Sequence, residues 1–94
     1  MSAAIFVDSH CHLDRLNLDA HGGDFTAMMA ATEEAGVSHM LCIGVDLETF
    51  PDVQALADSY PQVFASVGVH PLYKESREPS VDELLERAAH PKVV

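Results

Sequence analysis

Apolar residues along the chain fall into short continuous runs that alternate with segments of helical period. Ala4 to Asp8 is an apolar run of strand length, and Met40 to Ile43 and Val63 to Val67 are two more. Between the first two, Phe25, Met28, Met29 and Thr32 recur at helical spacing behind Asp24, a residue suited to cap a helix, and Gly36 follows where a left-handed stop is expected. Between the second and third, Val53, Leu56, Ala57 and Tyr60 form the inner face of a helix. Thr49 is placed to cap it, Pro51 is tolerated in its first turn, and Pro61 ends it.

A third helix is announced by Ser80-Val81-Asp82-Glu83, a capping box in which hydroxyl and carboxylate satisfy each other's backbone donors. Val81, Leu84, Leu85 and Ala88 then mark a stripe expected to be buried, and Pro91 ends the helix. Lys92-Val93-Val94 reads as the opening of a fourth strand, so the chain is expected to stop inside an element. Strands apolar on both faces with helices between them predict an α/β fold with a parallel sheet, since helices must then cover the strands. Periodicity leaves two forms open: a small four-stranded domain, or the first three to four strands of a (β/α)8 barrel, which takes about 250 residues.

Composition narrows this to one domain or part of one, because 94 residues at 48% hydrophobic content can bury a single core. No apolar run approaches the ~20 residues that cross a bilayer, and the N-terminus lacks the pattern of a signal peptide, so a soluble, cytoplasmic protein is expected. Cys11 and Cys42 have no CxxC spacing and read as free thiols. The net charge of −10 opposes a nucleic-acid coat, since such binding begins with clustered cations, but leaves room for an enzyme that grips phosphate through a metal ion.

The chemistry gathers where strands end, which is where parallel α/β proteins place their ligands. In IFVDSHCHLD, His10 and His12 lie two apart in an extended segment and so share a side, with Asp8, while Cys11 faces away. Two such imidazoles make half a shell for a divalent ion. His70, in SVGVHP after the third strand, lies on the same rim as a residue for substrate phosphate or for water, or as a plain turn residue. Asp46 is read as a helix cap, and His21, His39 and His90 as structural or solvent-facing. Phosphate-binding glycine loops and the GxSxG nucleophile elbow do not occur in the sequence.

These residues carry a resemblance. Phe6-Val7-Asp8-Ser9-His10-Cys11-His12-Leu13-Asp14, with Val67-Gly68-Val69-His70-Pro71 and Ala89-His90-Pro91-Lys92-Val93-Val94, resembles the N-terminal part of the TatD family of metal-dependent deoxyribonucleases, and the likeness runs over essentially the whole chain. The resemblance implies a single (β/α)8 barrel domain, of which residues 1–94 are the N-terminal part, with two divalent ions, magnesium or zinc, and DNA as substrate. It implies His10 and His12 as metal ligands and His70 as a substrate-binding residue. The family's other ligands follow strands four, five, six and eight, so no catalytic residue is assigned within these residues and the 94-residue piece is expected to be inactive alone. Two other readings stand beside it: a non-catalytic α/β piece that self-associates through open sheet edges, and a related metal hydrolase with a non-nucleic-acid substrate.

Overall fold

The computed structural model describes residues 5–72 and 77–94. Strand β1 is Phe6–Cys11, helix α1 Phe25–Glu34, strand β2 Val37–Ile43, helix α2 Phe50–Ser59, strand β3 Val63–Ser66 and helix α3 Val81–Ala88. Two short 3-10 turns, Leu13–Arg15 and Asp19–His21, lead from β1 to α1. The strands are parallel in the order β1-β2-β3, and Val93 bridges Ala65 in parallel to take a fourth position beside β3. Strands thus follow one another across the sheet in chain order, with no reversal. Doubly wound folds reverse at a switch point, whereas a (β/α)8 barrel adds strands in sequence, so the α/β reading takes its barrel-type form.

Helices α1 and α2 cover one face. Met40 and Cys42 of β2 pair in register with Val63 and Ala65 of β3, and these four pack with Met28 and Met29 of α1 and Phe50, Val53 and Ala57 of α2. Each large side chain fully buried here stabilises the fold by about 1.5–3 kcal/mol. The alternate positions Leu41, Ile43, Phe64 and Ser66 look the other way and are only half-buried. β1 is an edge: Phe6 and Val7 are 57% and 64% exposed, though both are apolar.

Local sequence explains most element ends. The Asp24 carboxylate accepts from Ala27 N at 3.2 Å to start α1, and Gly36 ends it at φ 101, a conformation that a Cβ disfavours. At α2 the expected cap moves: the Thr49 side chain makes no cap bond of its own, and Asp46 instead accepts from Thr49 N at 2.7 Å and from the Thr49 hydroxyl. Asp46, read as a cap, is therefore the group that serves α2. Lys92 Nζ donates to the carbonyls of Ala57 (2.8 Å), Tyr60 (3.1 Å) and Pro61 (3.3 Å), tying the fourth strand position to the end of α2. His90 receives Lys92 N on Nδ1 at 3.1 Å and meets Asp58 through Nε2 at 2.8 Å, a structural role as expected.

The capping box of α3 forms on both sides, Glu83 N to Ser80 Oγ at 3.1 Å and Ser80 N to Glu83 Oε1 at 3.2 Å. The stripe expected to be buried does not follow: α3 buries no residue, and Val81 and Leu85 are 72% and 63% exposed. Its packing partners are scarce, so its own cap matters more. Arg77 and the cap hold the Glu83 carboxyl at about 2, below its ordinary 4.5, so this contribution is complete above about pH 4.5 and is lost as pH falls through about 2. Ser80→Ala is expected to cost α3 about 1 kcal/mol. Amide exchange of α3 should rise in that variant while α1 and α2 keep their protection, and unchanged α3 exchange would refute the assignment.

Candidate metal centre

His10 is the next-to-last residue of β1 and His12 follows the strand, at the carboxyl end of the sheet. Their rings stand 5.2 Å apart between centroids at 82°, edge to face, so the two imidazoles do share a side. The Asp8 carboxylate turns back to accept His10 N at 3.1 Å, which fixes the backbone just before the pair. Strand pairing is irregular here, running from Asp8↔Met40 to Cys11↔Cys42. Such an irregularity re-aims side chains at a strand end. His10 is exposed and His12 half-buried, and the His12 Nδ1 atom is buried without a hydrogen-bond partner.

That buried nitrogen suits the imidazole chemistry of a metal centre. A ligating histidine engages one nitrogen with the ion and gives the other to an acceptor, so a ring with an unsatisfied buried nitrogen beside a second imidazole fits the role. The fit covers half a shell only. Among the described residues no group of three or more His, Cys, Asp or Glu side chains gathers as a metal site.

The neighbours explain why. Cys11 turns toward the core and its thiol donates to Leu41 O at 3.4 Å. Burial, then the charges of Asp8, Cys42 and Asp14, pushes this thiol up to about 12, so it stays neutral and supplies no thiolate. Burial also raises Cys42, whose Sγ lies 3.8 Å from Asp14 Oδ1. Both cysteines are free, as expected. Asp14 is paired with Arg15 at 3.6 Å, and Asp46 is engaged at Thr49.

His70 lies past β3, exposed, with its backbone N on Val45 O at 2.7 Å. This bond ties the segment after β3 to the segment after β2, so His70 belongs to the same end of the sheet as the pair. Its Nδ1 accepts Leu72 N at 3.1 Å. It is not gathered with His10 and His12 into a three-ligand group. One contact was not foreseen: Arg15 Nη2 reaches Thr49 Oγ1 at 3.4 Å, joining the turn after His12 to the start of α2. Its place one residue beyond the His-x-His-Leu-Asp run was the only signal available.

Comparison with known proteins gives a consistent picture. The family model described as TatD related DNase matches residues 7–94. The uncharacterized metal-dependent hydrolase YjjV of Escherichia coli (strain K12) is 32% identical over 80 residues, covering 84% of this chain and 30% of that protein. The uncharacterized metal-dependent hydrolase BU355 of Buchnera aphidicola subsp. Acyrthosiphon pisum (strain APS) is 33% identical over 66 residues, 70% of this chain and 25% of that protein. The uncharacterized metal-dependent hydrolase YcfH of Escherichia coli (strain K12) is 32% identical over 88 residues, 94% of this chain and 33% of that protein. The matched regions thus span a third or less of these relatives' length.

Proposed function

The chain belongs to the TatD-related DNase family, and from that premise we propose that it supplies the opening strands of a metal-dependent hydrolase acting on DNA phosphodiester bonds. The observation that carries this reading is the pairing of His10 and His12, rings 5.2 Å apart at the carboxyl end of β1, with the buried His12 Nδ1 lacking a partner. His10 and His12 would hold one of two divalent ions, magnesium or zinc, through their ring nitrogens. When bound, such an ion supplies a Lewis acid that lowers the pKa of water and offsets charge on a phosphoryl group.

The chain's own groups then have distinct tasks. Asp8 fixes the His10 backbone, and the Asp46–Thr49 and Arg15–Thr49 contacts hold the loops around the rim. Because His70 Nδ1 accepts Leu72 N, the neutral ring carries its proton on Nε2, from which it would donate to a phosphate oxygen of the substrate. A chain of net charge −10 offers no general attraction to a polyanion, so affinity for DNA would rest on the metal and on a few aimed donors. No helix among the described residues is long and apolar enough to cross a membrane, and the proposed setting is the cytoplasm.

The same charge favours a second reading, a metal hydrolase of the same fold with a small non-nucleic-acid ester or amide as substrate. The complete protein loaded with magnesium, manganese or zinc is expected to cleave DNA oligonucleotides and to lose that activity to a chelator. Turnover of small esters or amides with no cleavage of DNA would sink the nuclease reading and favour the second.

A further inference from the structure

We propose that Arg15 and Thr49 are positioning residues for the metal centre. A relay of hydrogen bonds from the Arg15 guanidinium through the Thr49 hydroxyl to the Asp46 carboxylate fixes the turn that begins at His12, and with it the aim of the His12 ring. This role rests on the metal-hydrolase reading. All of its contacts lie between the segments after β1, β2 and β3, and none depends on where the chain ends.

The turn needs an anchor. It spans only Leu13–Arg15, and the bond that closes it runs from Arg15 N to the carbonyl of His12 itself at 3.0 Å. A 3-10 turn this short has little strength of its own. His12 stands at its N-terminal cap with φ −127 and ψ 72 and makes no side-chain cap bond there, so any shift of the turn carries the His12 backbone and ring with it. Leu13 packs into the core at the start of the turn. At its end Arg15 Nη2 reaches Thr49 Oγ1 at 3.4 Å, while Arg15 Nε lies 3.6 Å from the Asp14 carboxylate.

Thr49 is suited to relay that contact. A hydroxyl donates once and accepts twice. Its proton goes to Asp46 and its oxygen receives the guanidinium, so a cation and a carboxylate polarise one hydroxyl from opposite sides. Thr49 is itself held firmly: it precedes Phe50, which is 1% exposed in the core, and its N–H donates to Asp46 at 2.7 Å. Next to Asp46, the Val45 carbonyl accepts His70 N at 2.7 Å. The turn after His12 is therefore tied to the segment that also holds His70, as a centre that sets a metal ligand against a substrate-binding residue requires. The Arg15–Asp14 ion pair, with side chains 37% and 7% exposed, adds little stability at such a distance. The consequence of the relay is geometric, since ligands work only when their surroundings hold them within about 0.5 Å of the productive arrangement.

Cobalt(II) bound by the complete protein in place of its own metal tests the relay, because the visible absorption bands of the ion follow ligand geometry independently of turnover. Thr49→Val removes the hydroxyl at nearly constant shape, and Arg15→Gln removes the cation from a side chain that is 37% exposed. Each is expected to weaken cobalt binding by about tenfold, the lower end of what losing a partner around a metal site costs, and to shift the bands. Thr49→Ser keeps the hydroxyl and should restore both. The double variant Arg15→Gln/Thr49→Val should be no worse than the stronger single, since both break one relay. Should Thr49→Val not fold, Arg15→Gln carries the test. Unchanged affinity and bands in Thr49→Val and Arg15→Gln would overturn the role, as would a Thr49→Ser that fails like Thr49→Val, or losses that multiply in the double variant. If the complete protein binds no cobalt, or its His10→Ala/His12→Ala variant keeps it, the metal centre falls and the positioning role with it. If that variant loses cobalt while Thr49→Val and Arg15→Gln hold it normally, only the positioning role falls.

Discussion

Replacing Gly44 by alanine is expected to destabilise the fold by about 2–3 kcal/mol, a large effect for one methyl group. A Cβ at this position would stand 2.5 Å from the Ser66 carbonyl oxygen and 3.4 Å from Phe50 Cδ1. Neither neighbour can give way. The Ser66 oxygen is backbone at the end of β3 and accepts Gly44 N at 3.1 Å, so moving it breaks the bond that closes the gap. Phe50 is 1% exposed within the core, so its ring has no free space to enter. Gly68→Ala is the control, since a Cβ there meets nothing within 4 Å, and its effect should stay within about 0.5 kcal/mol. Urea unfolding followed by circular dichroism reads both, and equal midpoints would refute the steric account. The close approach also has a functional side, because it draws together the carboxyl ends of β2 and β3, from which Val45 reaches back to hold His70 N.

Much of this arrangement could be read from local sequence because its causes are local. Asp24 before the α1 pattern, Gly36 after it, and the Ser80–Glu83 box each act over a few residues, and each forms where the pattern puts it. The shared side of His10 and His12 follows from spacing two apart in an extended chain. What could not be read depends on partners far along the chain. The clash that makes Gly44 necessary comes from Ser66, 22 residues on, and sequence pattern gives no register between β2 and β3.

The α3 stripe shows the same limit from the other side. Leu85 at helical spacing says that a face is suited to burial, while burial itself requires a surface opposite, and the structure puts 63% of Leu85 in solvent. Asp8 is a third instance. Alternation placed it with the histidines, but its carboxylate turns to His10 N in an irregular stretch of pairing that periodicity does not encode. The candidate centre was therefore legible as a pair and not as a shell.

Replacing His10 and His12 together by alanine in the complete protein is expected to abolish metal-dependent hydrolysis and to weaken metal binding by at least ~100-fold, the upper end of what loss of an outer-shell partner alone costs. Stability should hardly change. His10 is exposed, and removing His12 also removes a buried nitrogen that has no partner in the fold, a group whose burial itself costs about 1–3 kcal/mol. Elemental analysis after dialysis separates loss of metal from loss of fold, which circular dichroism monitors. His70→Ala should behave differently, keeping the metal while raising KM, because its place past β3 suits it to substrate and it joins no three-ligand group. The 94 residues alone should show no turnover on DNA at any metal concentration, since two imidazoles with no third ligand among the described residues leave an ion weakly held and unpositioned. A His10→Ala/His12→Ala variant of the complete protein that retains metal and full activity would show that the edge-to-face pair at the end of β1 is packing and not a metal centre.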